Sequence, residues 1–162
     1  MSNISTDTKD RELSYERVFD APRELVWEVW TKPEHIALWW GPNGFTNTVY
    51  KMEVKPGGVW DYMMHGPDGK DWPNLISYIE VKKPEILVYD HGDKENPKMF
   101  QVTVVFAAIS GAALGSEATE LTMKMVFPTK EALEETLKNV QAKEGLKQNM
   151  DKLEQYLAKM KG

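Results

Sequence analysis

The 162-residue sequence contains no cysteine, so disulfide bonds, thiol chemistry and cysteine-ligated zinc are excluded. It has no apolar run long enough to cross a bilayer and no block of basic residues. The net charge of −5 argues against nucleic acid as the main partner, because phosphate binding requires clustered lysine and arginine. Residues 1–11 are polar and have no apolar signal core, which predicts a frayed lead-in and a cytoplasmic protein.

Residue patterns that indicate catalysis or metal binding are also scarce. The three histidines, His35, His65 and His91, show no ligand spacing, so we predict no metal site and no cofactor. There is no Gly-x-Ser-x-Gly elbow for a hydrolase nucleophile. No glycine-rich loop has the Lys-Ser/Thr ending of a phosphate-binding loop. Carboxylates are plentiful, but their spacing defines no catalytic pair. The sequence therefore favours a non-enzymatic protein without excluding catalysis.

The length predicts one domain, over residues 12–162, with a core of its own. Apolar residues alternate over 12–19, which predicts a half-buried strand. Pro22 and Pro33 then each open a short helix in which apolar residues recur at helical spacing. Alternation and turn residues predict six further strands, at 46–54, 59–65, 72–81, 86–91, 99–109 and 118–127.

The C-terminal part is predicted to form two helices. The apolar stripe of 130–140 does not continue in phase, and a new stripe begins at Leu146. Because the phase changes beside Gly145, we predict a short helix over 130–140 and a long helix over 143–160. The long helix is strongly amphipathic and must lie on a sheet or on another helix.

Seven strands and a long terminal helix predict an α+β fold in which the helix covers one face of an antiparallel sheet. If the sheet curls around the helix, the space between them is either filled or left as a pocket. The one-sided alternation of 59–65 and the stripe on the long helix indicate large, adaptable side chains on both walls. The predicted cavity lining is Trp60, Tyr62, Met64, Tyr78, Tyr89, Phe106, Met150 and Leu153.

Two adjacent tryptophans, Trp39 and Trp40, end the second short helix directly before Gly41-Pro42. Side chains at adjacent helical positions point about 100° apart, so both can belong to one broad apolar stripe. We predict that one indole enters the core and that the other packs under the first short helix. Aromatic residues at helical spacing are usually core residues, so a structural role is favoured over ligand contact.

The stretch FDAPRELVWEVWTKPEHIALWWGP, residues 19–42, resembles the opening signature of the START-related helix-grip superfamily called SRPBCC. The branch it resembles is homologous to the C-terminal domain of the activator of heat-shock-protein-90 ATPase. The resemblance extends over most of the chain through further short motifs, which are EVKPGG (53–58), PDG (67–69), YIEV (78–81), KPEIL (83–87) and EGL (144–146). Each motif is weak by itself, but their order and spacing are specific.

Two positions depart from the pattern of this branch. Leu146 stands where the branch usually has tryptophan, which leaves more room at the start of the long helix. The loop 110–118 is small and flexible in composition where a tight glycine-rich turn is expected. Both departures bear on the shape of any pocket.

The resemblance implies a helix-grip fold, in which a curved antiparallel sheet of six to seven strands grips the C-terminal helix around a cavity. We favour non-catalytic binding of an apolar or aromatic small molecule, lipid-like or polyketide-like, in that cavity. The first alternative is co-chaperone-like stimulation of a heat-shock-protein-90-type ATPase, with a place in the stress response. The second is a cyclase or aromatase that acts on a bound polyketide through Tyr62, Tyr78 or Tyr89. Fold alone does not decide among them.

Overall fold

The computed structural model describes residues 9–111, 116–138 and 140–161. A 3-10 turn, Lys9–Arg11, leads into strand β1 (Glu12–Phe19), which is followed by helices α1 (Arg23–Thr31) and α2 (Pro33–Trp39). Six strands come next: β2 (Thr46–Met52), β3 (Val59–His65), β4 (Asp71–Lys82), β5 (Ile86–Gly92), β6 (Phe100–Gly111) and β7 (Ser116–Val126). Two helices follow, α3 (Lys130–Lys138) and α4 (Val140–Lys161). Residues 1–8 of the predicted lead-in lie outside the described residues.

All seven strands form one curved antiparallel sheet in the order β1-β7-β6-β5-β4-β3-β2. Consecutive strands from β2 to β7 are neighbours, whereas β1 joins the far edge beside β7. The long helix α4 lies on the concave face, which confirms the predicted helix-grip fold of the α+β class. None of the described helices is both long and apolar enough to span a membrane.

Helix α4 is tied to β1 by the guanidinium of Arg17. Its two terminal nitrogens donate to Asp151 and Glu154, in each case over 2.8 Å. The hydrogen bonds from Arg17 hold the pKa of Asp151 below its usual value. These contacts fix the middle of α4, and buried Leu153 and Leu157 pack that part of the helix into the core.

The break between the two C-terminal helices differs from the prediction. Helix α3 ends at Lys138 and α4 begins at Val140, so the break lies before the predicted one between residues 140 and 143, and Gly145 lies inside the long helix. A Cβ at Gly145 would lie 3.3 Å from Cγ of Pro42, so this glycine permits a close approach of the loop after α2. The loop predicted at 110–118 is also shorter, because β6 extends to Gly111 and β7 begins at Ser116. Residues 112–115 between them lie outside the described part.

Both rings of the tryptophan doublet lie in the core and both contact Trp30 of α1, so the predicted division between core and first helix is not a sharp one. Trp39 packs edge-on against Trp30 of α1 at 5.3 Å and donates its indole N–H to the carbonyl of Val29. Trp40 enters the core, where its ring lies 5.2 Å from Trp60 of β3. Its indole N–H donates to the hydroxyl of Tyr62 over 3.0 Å. Each indole thus buries its surface and satisfies its single donor.

Three consecutive polar contacts from α4 hold the loop that follows the doublet. The side-chain oxygen of Asn149 accepts the N–H of Gly41, which is buried. Gln148 accepts the exposed N–H of Asn43 over 3.0 Å, and the Lys152 ammonium donates to the Pro42 carbonyl over 3.3 Å. Gly41 has a φ of +99°, a backbone conformation that favours glycine. We call these contacts the loop clamp; they fix the distance between α4 and the α2–β2 loop.

We expect Asn149→Ala to lower the free energy of unfolding by about 1–2 kcal/mol, because it leaves the buried Gly41 N–H without an acceptor. Gln148→Ala is the matched control, since it removes the same kind of bond to the same loop where water can replace it. Urea unfolding of both variants beside the wild type gives the comparison. Equal losses of unfolding free energy in the two variants would show that the buried hydrogen bond stabilises the protein no more than the exposed one.

Candidate functional site

Two adjoining chambers lie between the concave face of the sheet and the C-terminal helices; together they are called the cleft. The small chamber, of about 250 Å³, lies against the first turns of α4. Its described lining is Trp40, Gly41, Pro42, Met64, Tyr89, His91, Phe100, Val102, Met123, Met125, Gly145, Leu146 and Asn149. The large chamber, of about 580 Å³, lies between β1, β6, β7 and α3. Its described lining is Leu13, Ser14, Tyr15, Met99, Phe100, Met125, Phe127, Ala132, Thr136, Leu137 and Leu146.

The two chambers share the side chains of Phe100, Met125 and Leu146. Leu146 is therefore part of the wall between them, at the position where the resembling branch usually has tryptophan. A leucine is much smaller than an indole, so this departure leaves space at the point where the chambers meet. Methionines are prominent in both linings, and their flexible thioethers adapt to ligands of different shape.

The eight residues of the predicted lining all lie in or against the core, but only some of them line the cleft. Met64 and Tyr89 line the small chamber. The other six are absent from the described lining of both chambers and belong to the core cluster. They are Trp60, Tyr62, Tyr78, Phe106, Met150 and Leu153. Trp60 and Tyr62 stack on each other at 4.0 Å. A role of the eight residues in ligand binding stays a prediction.

His91, for which the sequence indicated no binding role, is a polar residue of the small chamber. It lies on the same face of β5 as Leu87 and Tyr89, and its ring is 5.0 Å from that of Phe100. Its Nε2 lies 3.0 Å from Oδ1 of Asn74, whose amide nitrogen already donates to the Trp72 carbonyl.

These contacts define which nitrogen of His91 carries the proton. Nε2 of His91 lies 3.0 Å from the Asn74 oxygen and farther, 3.5 Å, from the Tyr62 hydroxyl. The shorter contact is with an atom that can only accept, so it assigns the proton to Nε2. Burial lowers the pKa of His91 to about 4, so the ring is neutral near pH 7 and Nδ1 carries a lone pair. Nδ1 has no hydrogen-bond partner within the described ranges, so it is an acceptor open to a ligand in the small chamber.

Asn149 is the second polar group of this chamber. Its side chain is 7 % exposed, and its oxygen is committed to the Gly41 N–H of the loop clamp. That bond fixes the orientation of the amide, because an N–H requires an acceptor. The amide nitrogen has no acceptor among residues 9–111, 116–138 and 140–161, so it is a donor available to a ligand.

The tyrosine hydroxyls of the interior are poorly placed for acid–base catalysis. Burial raises the pKa values of Tyr62, Tyr78 and Tyr89 well above their usual range, so all three stay protonated at neutral pH. Tyr62 also accepts the indole N–H of Trp40. Of the three, Tyr89 is the one that lines the cleft.

The other two histidines lie apart from the cleft and from each other. His35 contacts the Tyr156 hydroxyl at 2.6 Å, between α2 and α4. His65 contacts Asp71 at 2.8 Å and Thr48 at 2.7 Å on the strands at the β2 edge. No group of three or more potential metal-ligating side chains occurs in the part of the chain that the structure describes.

Two signals in the sequence could have found the polar groups of the cleft. The alternation of Leu87 and Tyr89 continues to His91 at the same spacing of two, which places all three on one face. Asn149 stands three residues after Leu146 and next to Met150, so it is a polar residue at the edge of an apolar stripe. A polar residue in such a place needs a partner or a ligand.

Comparisons with known proteins agree with this architecture. A family model described as "Activator of Hsp90 ATPase homolog 1-like protein" matches residues 20–158. The comparison with curated proteins found no match.

Among solved structures, a protein from Mycobacterium smegmatis has a TM-score of 0.81 at 23% identity, and the alignment covers 98% of each chain. A protein from Arthrobacter aurescens has a TM-score of 0.81 at 23% identity, covering 95% of this chain and 90% of the other. An AHSA1-like protein from Aeromonas hydrophila has a TM-score of 0.69 at 19% identity, covering 92% and 93%. At these identities the likeness is one of fold.

The low pKa of His91 predicts a pH-dependent stability. Between about pH 6.5 and pH 4 the unfolded chain binds a proton at this residue and the folded protein does not, so stability falls as the pH falls through that range. We expect a contribution on the order of 2 kcal/mol between pH 7.5 and about pH 4.5.

Urea unfolding at the two pH values measures this contribution as the difference between wild type and His91→Phe, because the acidic residues titrate in both proteins. An imidazole signal of His91 that titrates near its ordinary pKa in NMR spectra would contradict the assignment.

Proposed function

The chain belongs to the activator of Hsp90 ATPase homolog 1-like family, and on that premise we propose that it binds an apolar or aromatic small molecule in the cleft without converting it. The proposed ligands are lipid-like or polyketide-like. The observation that carries the proposal is the pair of adjoining chambers, about 250 and 580 Å³ in volume, with predominantly apolar walls. The volume of the large chamber is in the range of small-molecule sites, which are concave, mostly apolar and equipped with a few polar groups, and the small chamber extends it.

The energetic case rests on burial of apolar surface. Each 100 Å² of ligand surface removed from water contributes roughly 2.5 kcal/mol, so an elongated ligand gains affinity mainly from the walls. Phe100 offers an aromatic face at the junction of the chambers, and Met64, Met123 and Met125 offer flexible contacts. Such a lining favours a class of related ligands over a single shape.

A second candidate is a co-chaperone-like role, which the family description favours. Under this alternative the contacts with a heat-shock-protein-90-type ATPase are made by the surface. Substitutions inside the cleft then leave ATPase stimulation unchanged, and binding weakens with salt because exposed charges are screened. The two roles therefore respond to different variants.

The catalytic alternative has less support from the positions of the tyrosines. Tyr89 is the tyrosine of the proposed cyclase set that reaches the cleft, and its hydroxyl stays protonated. If the protein were a cyclase or aromatase that uses this hydroxyl, Tyr89→Phe would abolish turnover while leaving binding nearly intact.

We expect Leu146→Trp to weaken binding of Nile red, a neutral apolar dye, by about tenfold or more, because the indole fills the junction of the chambers. The measurement is a fluorescence titration of wild type and variant. Leu38→Trp is the matched control, since Leu38 is 68% exposed on α2 and is not part of the described lining of either chamber.

Wild-type protein that binds no apolar dye while it stimulates a heat-shock-protein-90-type ATPase would overturn the binding function in favour of the co-chaperone. Equal weakening of dye binding by Leu146→Trp and Leu38→Trp would show that the dye binds elsewhere on the protein.

A further inference from the structure

The cleft carries no fixed charge in its described lining. The side chains of both chambers are apolar, hydroxyl, amide or phenol groups, apart from His91. His91 is neutral near pH 7, because burial lowers its pKa to about 4. Lys152 is the cation that touches the neighbouring loop; its ammonium donates to the Pro42 carbonyl, and it does not line either chamber.

Two hydrogen-bonding atoms in the small chamber have opposite character. Nδ1 of His91 is an acceptor, because Nε2 donates to Asn74. Nδ2 of Asn149 is a donor, because Oδ1 accepts the Gly41 N–H. Neither Nδ1 nor Nδ2 has a partner within the described ranges, and both residues line the same chamber of about 250 Å³.

From this arrangement we infer that the cleft selects a neutral amphipathic ligand whose head group both donates and accepts a hydrogen bond, and that it discriminates against the corresponding carboxylate. The head group, such as a primary amide, lies in the small chamber, and the apolar chain extends towards the large chamber. This inference rests on the binding function proposed above and adds the chemical class of the ligand.

The discrimination follows from desolvation. A carboxylate that enters the small chamber loses its water and meets no cation in the described lining. Its donors there are neutral, the Asn149 amide and the Tyr89 hydroxyl, and the lone pair of His91 Nδ1 repels it. A primary amide of the same chain length loses a much smaller hydration energy. Its N–H can donate to His91, and its carbonyl can accept from Asn149.

The test compares three ligands with the same ten-carbon chain: decanamide, methyl decanoate and decanoate. Binding is measured at about pH 8, where the acid is ionised, by displacement of Nile red from the wild-type protein. We expect decanamide to bind about tenfold or more tightly than decanoate. Methyl decanoate accepts a hydrogen bond but cannot donate one, so its affinity should lie between those of decanamide and decanoate.

Two substitutions make the result specific to the residues named. His91→Phe removes the acceptor and keeps a ring of similar size, so it should reduce the affinity for decanamide and leave that for methyl decanoate nearly unchanged. Leu146→Lys introduces a cation at the junction of the chambers and should shift the preference towards decanoate. Leu146→Met, which adds no charge, should keep the wild-type order, and circular dichroism checks that each variant is folded.

Decanoate that binds the wild type as tightly as decanamide would overturn this inference and leave the proposed binding function in place. Failure of the dye and of all three ligands to bind would instead overturn the proposed function and this inference with it. An unchanged decanamide affinity in folded His91→Phe would show that the His91 nitrogen does not contact the head group.

Discussion

The hydrogen bond from the Gly41 N–H to the side chain of Asn149 connects the two parts of the molecule that define the cleft. Gly41 follows the tryptophan doublet and takes a positive φ, so the chain turns here from α2 towards β2. Its N–H is buried, and a buried donor without an acceptor is costly. Helix α4 is therefore held where the Asn149 side chain can accept this N–H. Gln148 and Lys152 then meet the next two residues of the loop. The position of α4, and with it the wall of the small chamber, depends on this contact.

A continuous set of aromatic rings explains why the cleft occupies one end of the space between the sheet and the helices. Trp30 contacts Trp39, Trp40 and Phe106, and Trp40 contacts Trp60, which stacks on Tyr62. These rings fill the space under α1 and α2 and over β3. The density of their packing has a cost, since the indole N–H of Trp60 is buried without a partner within the described residues. The remaining space lies at the other end, beside α3 and the first turns of α4.

The fold was predictable from the sequence, because alternation and helical spacing are local signals and the family resemblance implied the helix-grip arrangement. The lining of the cleft was harder to predict from the sequence, as particular residues show. Trp60, Tyr62 and Phe106 were placed correctly on the inner face, but which rings contact one another depends on tertiary volumes that alternation does not encode. Gly145 was interpreted as the site of a phase change between two helices. In the structure it allows the close approach of Pro42, whose Cγ would lie 3.3 Å from a Cβ at this position, and such a contact between residues distant in sequence leaves no local signal. Leu146 was recognised through a departure from a family pattern, and it is the residue that both chambers share.

The polar groups of the small chamber show how a structural requirement can prepare a binding site. His91 and Asn149 each use one atom to satisfy the fold: Nε2 donates to Asn74, and Oδ1 accepts from Gly41. Because each bond fixes the orientation of its side chain, Nδ1 of His91 and Nδ2 of Asn149 are each held in a defined chemical state without a partner in the described part of the chain. Little conformational entropy is then lost when a ligand binds, since the side chains are already immobilised. The bond that positions α4 therefore also orients the donor of the cleft, and the bond between β5 and β4 orients the acceptor.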